Sequence, residues 1–170
     1  MDIGLRDQFV QRWQQYVPGA SLPIAFFYVD DPGAVPVAPP VEGRACFLAQ
    51  LAGIRQGESL AFERDSLGCP GGKRYLGFDQ ERMPGFEYFL SCGIPGKVEG
   101  ERYKQSPELV LEFMNNAPVF VAPARYAVFK RWDKLDGADE PAAVFFEAMP
   151  DVLSCLFTLA NYDQSTPHGV

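Results

Sequence analysis

Three cysteines stand at even intervals in this 170-residue chain: Cys46, Cys69 and Cys92, each 23 positions from the next (69 − 46 and 92 − 69). Metal chemistry does not require that equality, but each thiol falls beside a feature that lets a cysteine do more than pack. Cys46 stands where a helix opens, Cys69 precedes Pro70-Gly71-Gly72, and Cys92 precedes Gly93. A thiolate forms at neutral pH when a positive end or charge lies near it, and a helix's first turn or the Lys73-Arg74 pair supplies one. Brought together, the three thiolates would hold an iron–sulfur cluster or zinc, leaving a fourth position to water, substrate or Cys155. The close-spaced pairs of strong metal motifs are missing, since there is no Cys-x-x-Cys and one histidine in all. Two other readings of the cysteines therefore stay open, as reactive thiols and as half-buried small hydrophobes.

The segment Cys69-Pro70-Gly71-Gly72-Lys73-Arg74 carries a second chemistry. Glycine backbones at a helix start present free amides, and two cations follow at once, so Gly71, Gly72, Lys73 and Arg74 form a candidate anion-binding cradle. The blander reading is a tight glycine turn. The segment is not a phosphate-binding loop of the Walker type, because it lacks the span and the final Lys-Ser or Lys-Thr, and no dinucleotide fingerprint is present. His168, close to the last residue, assembles no catalytic triad, and Glu58, Glu63 and Asp65 read as solvated strand flanks.

Positioning these residues requires a sheet and the helices that pack on it. Leu5, Phe9, Trp13 and Tyr16 recur at helical spacing before Pro18, and one face of that helix is expected on a sheet. Ile24 to Val29 is a buried strand by its aromatic and β-branched content, and Tyr126 to Trp132 is another. Ser59–Arg64, Val119–Val121 and Ala142–Ala148 supply three more, giving about five strands. Pro32 to Gly43 holds four prolines and two glycines and must be a surface-hugging loop. Ala45 to Arg55 has helical spacing closed by Gly57, which places Cys46 in a first turn. Phe86 to Ile94 reads as a short helix, Ser106-Pro107-Glu108 caps one running to about Asn115, and Pro150-Asp151 opens the last, which Asn161 ends. The result is a single mixed α/β (α+β) domain over residues 1–170.

Composition narrows the class. Hydrophobic residues make up 47% of the chain and charged ones 22%, enough apolar material to fold without a staple. A net charge of −7 repels a phosphate backbone, and the densest basic stretch, Lys130, Arg131 and Lys134, is interleaved with Asp133 and Asp136 as in a solvated strand end. Nucleic acid is not an expected partner. No run approaches the ~18 to 20 apolar residues of a membrane span. The start has neither basic flank nor apolar core of a secretory signal, so a cytoplasmic protein with reduced thiols is expected.

Arg44-Ala45-Cys46-Phe47, Cys69-Pro70-Gly71-Gly72 and Leu76-Gly77-Phe78 resemble the ArCR family, domain of unknown function 169. Phe89-Leu90-Ser91-Cys92-Gly93-Ile94-Pro95-Gly96 and Gly100-Glu101-Arg102-Tyr103 resemble one branch of it, and the similarity runs from about Pro23 to Val170. The resemblance implies a mixed α/β fold, a cytosolic prokaryotic protein and weight on Cys46 and Cys69. Members of the family extend past the position of Val170 with a further glycine- and cysteine-containing segment, so the chain looks like a short or truncated member. No activity carries over. The functional expectation is a domain that binds a small ligand or metal through the Cys46/Cys69 region, and its alternative is a non-enzymatic interaction or scaffold domain with structural cysteines.

Overall fold

The computed structural model describes residues 1–80 and 82–166, so His168 lies outside the described residues. Ile24–Val29 (β1), Ser59–Phe62 (β2), Tyr126–Arg131 (β3) and Ala143–Phe145 (β4) form one antiparallel sheet in the order β2-β3-β1-β4. Phe26 and Leu60 both stand opposite Phe129, and Ile24 stands opposite Phe145. Strand side chains alternate between faces. One face therefore presents Ile24, Phe26, Leu60, Phe62, Ala127 and Phe129, while the other presents Ala25, Phe27, Ala61 and Val128.

The first face carries the larger core. Phe129 is fully buried there, ringed by Phe26, Phe47, Phe62 and Phe145 at centroid separations of 5.2, 5.4, 5.6 and 6.3 Å. Helices α2 (Phe47–Gln50), α3 (Ala52–Arg55) and α4 (Pro70–Tyr75) cover this face through Phe47, Leu51, Ile54 and Leu76. Tyr28 ties β1 to the end of α4 by donating its hydroxyl to the Leu76 carbonyl at 2.9 Å, and burial pushes its phenol up to about 12. The Pro32–Gly43 loop hugs the outer edge of β2: Ala38 donates to the Ala61 carbonyl and Ala61 to that of Pro36.

Four sequence expectations are corrected. The sheet has four strands, because Val119–Val121 is not one of them; flanked by Pro118 and Pro123, which cannot donate to a ladder, it runs beside Gly77 with its side chains exposed. The helix expected over 45–55 is two four-residue turns that meet at Leu51. Helix α1 (Ile3–Tyr16) buries only Trp13 and packs against the end of the sheet, Phe9 on Trp132 and Trp13 on Phe146, rather than across a face.

The fourth concerns Lys130. Alternation along β3 turns it inward on the second face, where only 8% of its side chain is exposed and its ammonium lies 5.8 Å from the Phe27 ring centroid. Asp139, equally buried, accepts from Nζ through both carboxylate oxygens at 2.9 and 2.8 Å and from the Asp136 amide at 2.8 Å. What reads in sequence as a solvated strand end is a buried ion pair.

Candidate functional site

Among the site residues expected from sequence, Cys69 has a structural role before anything else. Pro70 opens α4 with no amide to lose, and the Cys69 sulfur accepts from the Gly72 amide at 3.4 Å, so the thiol stands where a serine or aspartate commonly caps a helix. Gly72 is buried against Phe47, and a Cβ built on it would lie 3.1 Å from Cβ of Phe47. Ala45 also donates to the Gly68 carbonyl. The backbone segments of Cys46 and Cys69 thus run side by side, joined by a hydrogen bond and a glycine contact.

Cys46 is exposed and precedes α2 without capping it. Cys92 is exposed elsewhere, on a groove of about 680 Å³ lined also by Lys97 and Arg102, where its thiol donates to the Gly93 carbonyl. Among the described residues no three of His, Cys, Asp and Glu gather closely enough to hold a metal ion. Cys46, Cys69 and Cys92 are not brought together as the three-thiolate set that a cluster or zinc would need. Of the candidate anion cradle, the Gly72 amide is spent on Cys69, Gly71 and Arg74 line a cleft, and Lys73 is half-buried outside that lining.

That cleft, about 590 Å³, opens between α4, α5 (Phe86–Phe89) and α6 (Pro107–Asn116), with the Pro118–Phe120 segment along its rim. Its walls are mostly apolar, from Met83, Phe86, Leu90, Phe113, Met114 and Phe120. Ser106 caps α6 by accepting from the Leu109 amide, and Val110 and Met114 bury the core-facing stripe of that helix. Phe113, one position off the stripe, is left for the cleft.

Gly77 fixes the rim. It has φ +75°, its carbonyl accepts from Ala122 at 3.0 Å, and a Cβ on it would meet the Ala122 amide, with Phe120 and the Val121 carbonyl carbon at 2.8 Å. A Gly77→Ala protein is expected to lose about 1–3 kcal/mol through left-handed backbone strain and the backbone clash. An unchanged thermal unfolding midpoint would show that the rim is not docked this way.

Two arginines bring charge to the apolar walls. Arg74 donates to the Gln80 carbonyl at 3.1 Å, and Arg82 to the Asn115 side-chain oxygen at 3.0 Å. Gln80 in turn donates to the Phe120 carbonyl, so one polar chain runs from α4 to the rim. The sequence reading picked out Arg74 and Gly71 but missed Arg82, Leu90, Phe113 and Phe120. The one signal that bears on them is the excess apolar width of α6, where Leu109, Leu111 and Phe113 are all exposed beside the core stripe.

Positions 20–170 match the model of a family described as uncharacterised ArCR, a domain of unknown function. No match was found among curated proteins or among solved structures. No helix among the described residues is long and apolar enough to cross a membrane.

Proposed function

The chain belongs to the uncharacterised ArCR family, and from that premise we propose that it is a small-molecule-binding domain whose ligand occupies the cleft between α4, α5 and α6. The supporting observation is the combination of a mostly apolar, partly enclosed space of about 590 Å³ with a few convergent polar groups, the usual make-up of a ligand pocket. Cys69 enters this reading as the cap that orients α4 and its lining residues Gly71 and Arg74. The Cys46/Cys69 region then supports the site by packing, with no metal assigned to it.

The test uses a neutral aromatic probe, 1-naphthol, followed by its fluorescence. Leu90→Trp fills the cleft from the α5 side, and it is expected to weaken naphthol binding at least tenfold while leaving the unfolding midpoint within a few degrees. Naphthol bound equally by the wild-type and Leu90→Trp proteins would place the ligand elsewhere and end this reading.

A second reading, an interaction domain, is favoured by α7 (Pro150–Asn161). None of its residues is buried, and Leu153, Phe157 and Leu159 are 40, 48 and 62% exposed. A helix apolar on several sides is ordinarily covered by something. Failure of the naphthol experiment, with the protein folded, would leave this reading as the better one.

A further inference from the structure

We propose that the ligand of the cleft is an amphiphilic monoanion: an aromatic or aliphatic body seated on the apolar walls, with one carboxylate held by Arg74 and Arg82. This rests on the reading of the cleft as a small-molecule site and adds the ligand's charge and shape.

The chain has a net charge of −7, and Arg6, Arg55, Arg64, Arg125 and Arg131 each pair with a carboxylate. Among the described residues Arg12, Arg44, Arg74, Arg82 and Arg102 do not, and of these Arg74 and Arg82 line the cleft. Among the described residues neither forms an ion pair, and each gives one hydrogen bond to a neutral acceptor, which leaves other N–H donors of both forks for a ligand. Among the described residues no acidic side chain lines the cleft, and its charged lining residues are Arg74 and Arg82. Arg74 is half-buried and Arg82 exposed at the cleft, and the planar geometry of a carboxylate matches an arginine fork.

The headgroup is a monoanion because the donors on offer are few. The Gly72 amide, which would extend an oxyanion cradle at the start of α4, is already committed to the Cys69 sulfur. A phosphate dianion would find two side chains and no backbone nest, whereas a carboxylate is satisfied by the two forks. The apolar body follows from Phe86, Leu90, Phe113 and Phe120, which offer it ring and alkyl surface.

A matched pair of probes tests this, 1-naphthoate against 1-naphthol, with 1-naphthyl phosphate as a third. Naphthoate is expected to bind at least tenfold more tightly than naphthol at low salt, a difference of about 1.4 kcal/mol. Arg74→Met and Arg82→Met should each cut naphthoate affinity severalfold and leave naphthol affinity unchanged. Arg74→Lys, which keeps the charge and the stem, guards against a folding defect in the methionine variant and should retain an intermediate preference. Equal binding of naphthoate and naphthol overturns the monoanion while the cleft stands as an apolar site. Naphthyl phosphate bound tenfold more tightly than naphthoate overturns the carboxylate assignment. If no probe binds, the cleft reading itself has failed and this inference falls with it.

Discussion

An Asp139→Ala protein is expected to lose about 3–5 kcal/mol of folding stability, enough to leave a domain of this size only marginally folded. The reason is what remains behind. With Asp139 gone, the Lys130 ammonium stays inside the second face of the sheet with, among the described residues, only the exposed carboxylate of Asp136, 3.1 Å away, for an ionic partner. The Asp136 amide loses its acceptor at the same time. Denaturant unfolding measures the loss directly. The double variant Lys130→Met/Asp139→Leu is the sharper check, because it removes both charges and fills their space with apolar volume. It should recover more than half of the single-variant loss. A double variant no more stable than Asp139→Ala would show that the ion pair is not the source of the effect.

The same region sets how stability varies with pH. Hydrogen bonding from Arg131 holds the Asp133 carboxyl below its ordinary range, and the Ala138 amide followed by Lys130 does the same for Asp136. Both carboxylates therefore contribute stability above about pH 4, and that contribution fades as pH falls through their lower folded values. Lys130 runs the other way. Burial alone would lower its pKa, but hydrogen bonds to Asp139 and Asp136 outweigh burial and raise it. Its contribution is complete below about pH 10.4 and is lost as pH rises through the higher folded value.

Phe129→Ala is expected to cost about 3–5 kcal/mol, by removing a fully buried ring that four other aromatic rings surround. Leu48→Ala, on α2 but 74% exposed, should change stability by less than about 0.5 kcal/mol. Thermal or urea unfolding of the two variants side by side checks the contrast. A Phe129→Ala protein as stable as the Leu48→Ala protein would mean that the first face of the sheet is not the main core.

The central strands were legible because their signal is local. Ile24 to Val29 and Tyr126 to Arg131 are dense in the residue types that fit a pleated surface, and turn residues bound them. Ser106 and Pro107 likewise marked the start of α6 by chemistry confined to one helical turn. Val119–Val121 misled because β propensity is blind to neighbours: those residues find Gly77 and Gln80 beside them rather than a strand. Lys130 was misjudged for a related reason. Its burial depends on Asp139, nine positions on, folding back over the second face.

The lining of the candidate cleft was legible in part. Cys69, Gly71 and Arg74 sit in one compact segment whose glycines and charges stand out, and the structure does place Gly71 and Arg74 on a cleft. The opposite wall comes from α5 and α6, and no spacing rule connects Arg82 or Phe113 to Arg74. The equal intervals between the three cysteines carried no spatial information, since sequence separation does not set distance once the chain turns through several elements.

The two margins of the sheet are unlike. Residues 36–38 zip along the free side of β2, whereas β4, three residues long, shows no further strand on its outer side among the described residues. Among the described residues β4 is therefore the flank more open to an incoming extended segment, since Ala61 of β2 already spends its amide and carbonyl on residues 36–38. Two molecules joined through β4 would each turn β2, with its covering residues 36–38, away from the contact.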